Sequence, residues 1–372
     1  MPNVADIAPE LVWPALVWPA VPSVYLDLNH FIGMARAVAG HQDAAGYAAL
    51  FSVLRQAVDD GRVVVPLSGV HLAEMAQRIT DPRQRADISA VMERLSSFHY
   101  LLGRATLARF EIEDGLATSF GEPVPPPVLP LVGFGFGRSF GIAGTFKIVD
   151  SGGVDVTDSM RTLLGSSKID GIILEGERRM LIGPTDTDAV MLAANPQYRP
   201  EVFRKGMESR VAWEMDTRDK LNTDAKWRSG RLRDFVTARE VANEWIDLMI
   251  DVLGKRLSDG LPGLDFASEQ MRHVITAMPQ TQVAISVKTF YHHDAQRAWT
   301  VNDIYDIDAL SAAFAYCDVV FTDKAVRNAL AISKDLRGFG TFLPRTVPEL
   351  TAWLAHPEFR TNANGRSNGP SA

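Results

Sequence analysis

Three acidic residues lie at positions where their side chains could act together. Asp27 directly follows Val24–Leu26, a short run of strand-forming residues, and Asp323 follows a similar run at 319–322. Glu74 lies on the second turn of the helix predicted to follow another short apolar strand. Ligands of open α/β sheets bind beyond the carboxyl ends of the strands. If these strands are neighbours, the three acids face one cleft.

A fourth acidic contribution comes from the segment 302–308, which is predicted to be helical. Asp303 and Asp306 are three residues apart and therefore share a helix face. Asp308 lies about 200° around the helix from Asp306, so it should face away from it. The sequence leaves open which of the three is the acid that joins the cleft.

Several carboxylates in one cleft repel each other, which raises their pKa values unless a cation neutralises them. Mg²⁺ and Mn²⁺ are hard ions that prefer oxygen ligands and are commonly held by carboxylates together with substrate phosphate. Such a site can lower the pKa of a bound water and stabilise the charge on a leaving oxygen. The residues therefore predict hydrolysis of phosphodiester bonds with Mg²⁺ or Mn²⁺.

Strands and helices alternate around these acids, which favours a parallel sheet covered by helices. The predicted strands are 24–28, 63–67, 283–287, 319–321 and 341–343. The predicted helices are 47–58, 69–80, 82–95 and 303–314, and residues 186–255 are expected to be largely helical and strongly charged.

Four segments together resemble the acidic motifs of the PIN-like nucleases. They are Val24-Tyr25-Leu26-Asp27-Leu28-Asn29-His30, Pro66-Leu67-Ser68-Gly69-Val70-His71-Leu72-Ala73-Glu74, Asp303-Ile304-Tyr305-Asp306-Ile307-Asp308 and Val319-Val320-Phe321-Thr322-Asp323-Lys324. By this resemblance Asp27 matches the first acid, Glu74 the helix acid and Asp323 the last acid. Asp306 best fits the expected distance to Asp323, and Asp303 and Asp308 are the alternatives.

The resemblance implies a three-layer α/β/α fold with a central parallel sheet, a divalent metal site and hydrolysis of RNA, often single-stranded. The PIN-like core would comprise residues 22–100 and 280–359. A mostly helical insertion, 101–279, begins with a Pro/Gly-rich loop and would separate the two parts. Residues 1–21 are predicted to form an arm packed on the surface, and 360–372 a disordered tail.

Four further residues are candidates for substrate binding. Asn29 and Ser68 lie near the predicted cleft, although each is also a good helix cap. Arg228 and Arg231 lie in an Arg-rich stretch with Trp227. This composition is typical of a surface that binds a nucleic-acid strand, or of a solvated helix face. Residues 199–239 contain eleven Lys or Arg against seven Asp or Glu, a local charge of +4 within a chain whose net charge is −7. Nucleic acid is therefore compatible with the charge distribution.

The composition also bears on membrane association and on disulfide formation. Prolines interrupt the apolar stretch 11–28, so no membrane partner is expected, and a single cysteine, Cys317, permits no internal disulfide. A cytoplasmic location is the resulting expectation. The alternatives to an RNA nuclease are a DNA nuclease with the same site and an inert PIN-like binding or scaffold protein. A protein partner or a second copy could bind through the insertion.

Overall fold

The computed structural model describes residues 11–124, 126–142, 144–184, 186–194, 199–224, 226–264 and 269–360, and this part of the chain is mostly helical. Its α-helices are α1 (Leu28–Val38), α2 (Ala45–Asp59), α3 (Gly69–Arg78), α4 (Pro82–Ser96), α5 (Arg104–Phe120), α6 (Thr157–Leu164), α7 (Ser166–Ile182), α8 (Asp186–Ala193), α9 (Pro200–Thr223), α10 (Leu232–Glu240), α11 (Ile246–Ser258), α12 (Glu269–Ala277), α13 (Pro279–His292), α14 (Val301–Tyr316), α15 (Lys324–Ile332) and α16 (Val347–Ala355). A π-helical segment, Val241–Trp245, joins α10 to α11.

Four short strands in the described part of the chain form two sheets of two strands each. The strands are β1 (Val24–Leu26), β2 (His99–Leu101), β3 (Val132–Phe134) and β4 (Val319–Phe321). β1 and β4 pair in parallel, with Val24 opposite Val319 and Leu26 opposite Phe321, whereas β2 and β3 are antiparallel. The predicted strands 63–67 and 341–343 contribute single parallel bridges, Ser23 to Val64, Leu67 to Tyr100 and Val319 to Phe342.

The β1–β4 pair lies between two hydrophobic cores. Val24 and Leu26 pack into one core with residues of α1, α2, α4 and α16, whereas Tyr25 packs into the other with residues of α13 and α14. All three residues of β1 are at most 1% exposed. A strand buried on both faces is expected to be continuously apolar, which explains why the sequence signal for β1 was clear.

The predicted strand at 283–287 is wrong, because these residues lie inside α13. Short apolar runs of a buried helix and of a buried strand look alike in sequence, since both are surrounded by core. Val283, Ile285 and Val287 are each at most 1% exposed. The stronger local signal is Pro279, which occupies the first turn of the helix, where its missing N–H costs no hydrogen bond.

The arm is also placed differently from the prediction. Its described part, 11–21, is not confined to the surface: Leu11, Trp13 and Leu16 are buried in the core, whereas Val17 and Ala20 are exposed. The Trp13 indole N–H donates to the carbonyl oxygen of Ala315 at 3.0 Å. Trp13 thus anchors the arm, since a buried indole usually has a partner for its N–H. The predicted tail, from residue 361 onward, lies outside the described residues.

Residues of the predicted insertion pack directly on the predicted core. Glu111 of α5 accepts hydrogen bonds from the Tyr316 hydroxyl (2.5 Å) and the Gln280 backbone N–H (2.9 Å). The Pro/Gly-rich loop contains β3 and a 3-10 turn, Phe136–Phe140. None of the helices in the described part of the chain has the length and apolar character needed to span a membrane.

We expect Gly103→Ala to destabilise the protein, because Gly103 lies where two backbone segments meet. A Cβ at this position would be 2.3 Å from the carbonyl oxygen of Ser139. Relieving that overlap should lower the free energy of unfolding by roughly 1–3 kcal/mol in urea titrations. The matched control is Gly206→Ala in α9, where a Cβ meets nothing within 4 Å and should be neutral or stabilising. Equal stability of the two variants would contradict the expected close approach.

Candidate active site

Asp27 and Asp323 lie at the same end of the β1–β4 pair. Asp27 follows β1 at the start of α1, and its backbone N–H donates to the carbonyl oxygen of Phe321 at 3.0 Å. Asp323 follows β4 and caps α15, where its carboxylate accepts the N–H groups of Ala325 (2.7 Å) and Val326 (3.0 Å). The parallel pairing therefore brings together two acids that are almost 300 residues apart, as the sequence predicted.

The Asp27 carboxylate is held in a largely buried environment. Burial raises its pKa above the ordinary value, and the nearby charge of Asp323 raises it further. A hydrogen bond from the Thr322 hydroxyl (3.4 Å) and the backbone N–H groups of Leu28 and Asn29 act in the opposite direction. The site thus contains an acid whose ionised form is stabilised by only a few hydrogen bonds.

Glu74 projects from α3 toward the same acids. It is 4% exposed, and burial followed by the charge of Asp27 raises its pKa to about 7. Arg78, one turn later on α3, forms an ion pair with it and lowers the pKa in part. The functional and the structural interpretations of Glu74 therefore both find support, since it pairs with Arg78 and also interacts with Asp27.

Asp306 is the acid of α14 that joins this group. Burial raises its pKa to about 8, and the charges of Asp27, Asp323 and Glu74 contribute in that order. Asp306 therefore lies near each of the other three carboxylates. We refer to Asp27, Glu74, Asp306 and Asp323 as the carboxylate cluster.

Asp303 lies beside the cluster but has partners of its own. Its carboxylate accepts the backbone N–H and the hydroxyl of Thr300, both at 2.8 Å, and it forms an ion pair with Arg297. This is a capping box, which stabilises the start of α14. Asp303 also contributes to the raised pKa of Asp306, so it adds negative charge to the cluster.

Asp308 faces away from the cluster, as its helical position predicted. Its carboxylate accepts two hydrogen bonds from Arg210, at 2.5 and 2.7 Å, and lies 3.3 Å from Arg104. Burial raises its pKa, but the two guanidinium groups outweigh this effect and hold the pKa below its ordinary value. Asp308 is thus part of an ion-pair network, and Asp306 is the α14 acid that interacts with Asp27, Glu74 and Asp323.

The chemistry of the cluster suits a hard divalent cation. Its donor atoms are all carboxylate oxygens, and the raised pKa values of Asp27, Glu74 and Asp306 reflect in part a repulsion that a cation would remove. The side chains are not, however, at coordination spacing: among the described residues, no three His, Cys, Asp or Glu side chains are arranged to hold one ion. Of the predicted ligands, Asp27, Glu74, Asp306 and Asp323 fit by charge and donor type.

The predicted substrate-binding residues are in different environments. Asn29 is exposed next to Asp27. Ser68 is 8% exposed and packed, with its hydroxyl 3.0 Å from that of Tyr25. Arg228 donates to the Asn222 side chain, and Arg231 is exposed with its guanidinium 5.0 Å from the Trp227 ring centroid. No ion pair or hydrogen bond found among the described residues links either arginine to the cluster.

Two residues near the cluster, Tyr291 and Arg297, were not predicted from the sequence. Burial raises the pKa of Tyr291, and Asp306 raises it further, which places this phenol near the cluster. The Arg297 guanidinium lies 3.6 Å from the Tyr291 ring centroid, in a stacking contact. His292, which follows Tyr291, is buried, and its Nε2 lies 2.9 Å from a carboxylate oxygen of Glu214.

No protein-family model matches this sequence, and comparison with curated proteins and with solved structures finds no match. The functional inference therefore depends on the geometry and electrostatics of this chain.

Proposed function

We propose that the protein is a Mg²⁺- or Mn²⁺-dependent endonuclease of PIN-like architecture that hydrolyses phosphodiester bonds, with single-stranded RNA as the favoured substrate. The observation that carries the proposal is the carboxylate cluster. Two of the four acids, Asp27 and Asp323, follow the paired parallel strands, and charge within the cluster raises the pKa values of Asp27, Glu74 and Asp306. Repulsive buried charge of this kind is typical of functional sites.

The proposed architecture is a three-layer α/β/α core around a central parallel sheet. Support comes from the alternation along β1, where Val24 and Leu26 pack on one side and Tyr25 on the other. The parallel bridges of Val64, Leu67 and Phe342 extend the β1–β4 pair in both directions. The two sets of helices would then form the outer layers.

The carboxylate cluster would hold the cation through Asp27, Asp306 and Asp323. A bound divalent ion supplies charge neutralisation and a lower pKa for water. The Thr322 hydroxyl orients the Asp27 carboxylate. Glu74, with a pKa of about 7, is suited to accept a proton from an attacking water near neutral pH.

The test is cleavage of a labelled single-stranded RNA in Mn²⁺ by the native protein and by Asp27→Asn. We expect cutting by the native protein and none by the variant. Asp87→Asn, an exposed acid on α4, is the matched control and should cut normally. A DNA oligonucleotide of the same sequence distinguishes an RNA nuclease from a DNA nuclease. Equal cutting by Asp27→Asn and the native protein would contradict the proposal.

An inert binding module is the second candidate, because no three of the described acids stand at coordination spacing. Calorimetry with Mn²⁺ separates the two. We expect binding at pH 7 with release of protons, because Asp306, with a pKa of about 8, is largely protonated at this pH. The apparent binding enthalpy should therefore change between buffers of different ionisation enthalpy, and less so for Asp306→Asn. Absence of Mn²⁺ binding would favour the inert module.

A further inference from the structure

A cavity of about 570 Å³ is lined by residues of α3, α9 and α14, and none of the four acids of the carboxylate cluster lines it. The cavity is also lined by Ser68 and Leu101, each of which directly follows a residue of the parallel bridge between Leu67 and Tyr100. On α14 it meets the face that carries Asp308, which is turned away from Asp306. The hydrogen bond from the Tyr305 hydroxyl to Gln77 (2.9 Å) joins α14 to α3 beside it. The volume is within the range of small-molecule sites, roughly 300–1,000 Å³.

The walls of the cavity are mainly apolar and include aromatic rings. Leu72, Leu102 and Met207 form part of the buried lining. Phe140 and Phe203 also line it, and they are 59% and 45% exposed. Large exposed aromatic side chains at a concave site provide stacking surface for a planar ligand.

The polar part of the lining is a group of charges that neutralise one another. Arg104, Arg210 and Asp308 all line the cavity, and their side chains are 14–16% exposed. The two guanidinium groups are also paired with Glu244, at 3.1 and 2.8 Å. Because the positive charges are already compensated, a free anion gains little here. A neutral ligand that presents a donor and an acceptor on neighbouring atoms matches a carboxylate placed beside guanidinium groups.

We propose that this cavity binds a nucleobase, stacked on Phe203 and hydrogen-bonded by its edge to Asp308 and the two arginines. A nucleobase combines a planar aromatic face with adjacent donors and acceptors, which is the chemistry that the lining offers. The base could belong to a free nucleotide or to a nucleic-acid strand. The strand version depends on the proposed function, since it would give the nuclease a preference for one base near the cut.

The first arm of the test uses free nucleotides and no metal, so it does not depend on nuclease activity. Calorimetry would measure binding of GMP, AMP, CMP and UMP, with ribose 5-phosphate as the ligand that lacks a base. We expect at least one nucleotide to bind and ribose 5-phosphate not to bind. Phe203→Ala should weaken binding roughly tenfold, the order expected for the loss of one base–aromatic stack.

Ala76→Trp should block the cavity, because Ala76 is an exposed residue of its lining. Ala86→Trp, at an exposed position of α4 outside that lining, is the matched control and should bind as the native protein does. Binding of no nucleotide by the native protein, or equal binding by Ala76→Trp, would overturn the proposal.

The second arm identifies the source of the base. Oligonucleotides that differ at one position near the cut are compared with the native protein and Phe203→Ala in Mn²⁺. A base preference that Phe203→Ala removes supports a nucleic-acid strand as the source of the base. Nucleotide binding without any base preference in cleavage supports a free nucleotide as the source of the base. If no cleavage occurs but nucleotides bind and Ala76→Trp does not bind them, the nuclease proposal fails and the cavity proposal stands.

Discussion

Replacing Asp306 by Asn should abolish metal-dependent cleavage and, at the same time, stabilise the metal-free protein. The loss follows because metal-ion catalysis contributes several kcal/mol, and each lost ~1.36 kcal/mol slows the reaction about tenfold. We therefore expect kcat/KM to fall about a thousandfold or more. The gain follows because Asn is uncharged, whereas burial and four neighbouring acids raise the pKa of Asp306 to about 8.

The pH dependence of this stabilisation has a definite sign. The pKa of Asp306 is raised from 3.8 in the unfolded chain to about 8 in the folded protein. Below pH 4 the group is protonated in both states and has no effect. As pH rises from about 4 to 8, ionisation of the unfolded chain increasingly favours unfolding, and the full penalty is present above pH 8. Thermal unfolding in EDTA should show a higher midpoint for Asp306→Asn than for the native protein at pH 8.5, and little difference at pH 4.

Asp87→Asn is the control for both measurements, because it removes an exposed acid of α4 without touching the cluster. It should change neither kcat/KM nor the unfolding midpoint appreciably. Loss of activity in Asp306→Asn accompanied by a lower midpoint at pH 8.5 would indicate damage to the fold rather than removal of a catalytic charge. In that case the repulsion inferred for the cluster would be wrong.

Replacing Lys288 by Met should be the most destabilising of the changes considered for the fold. Lys288 is 2% exposed, and its ammonium group lies 2.6 Å from a carboxylate oxygen of both Glu214 and Glu240. Removal of the ammonium leaves two buried carboxylates without this partner. Breaking a buried pair in this way typically costs about 3–5 kcal/mol. Urea titration should show a loss of this order.

Two variants make the Lys288 experiment specific. Lys226→Met removes a lysine whose side chain is 69% exposed and paired with Asp224, and exposed pairs are worth about 1 kcal/mol or less. Lys288→Met combined with Glu240→Gln removes one of the stranded charges and should recover part of the lost stability. A Lys288→Met variant as stable as Lys226→Met would contradict the role of the network.

The acids of the site were predictable because their signals are local. Asp27 and Asp323 each follow a short run of buried residues, so strand pattern and position indicated the sheet edge. The face of Asp308 followed from helix periodicity alone. The partners of Asp308 could not be predicted in this way, because Arg104 and Arg210 are distant in sequence and their contacts depend on tertiary packing.

The parts of the fold that sequence analysis missed share a physical cause. The run at 283–287 is buried on all sides, so neither helical nor strand periodicity is visible, and it was assigned to a strand instead of α13. The arm was assigned to the surface because its prolines favour an extended chain, which says nothing about depth. Trp13 lies in the core because an extended segment can be buried when its backbone groups are hydrogen-bonded, and the neighbouring Val12 N–H donates to the carbonyl oxygen of Ala277 at 2.9 Å.

The pairing of β1 with β4 has a consequence for the order of folding. Ser23 and Asp318, which hydrogen-bond at the start of the two strands, are 295 residues apart. Contacts of such separation are slow to form, and a chain emerging from the ribosome grows at about 5–20 residues per second. Asp323 is therefore synthesised many seconds after Asp27. During translation the nascent chain has half of the carboxylate cluster and no cleft, so any hydrolytic activity of this site can begin only after the C-terminal strand has been added.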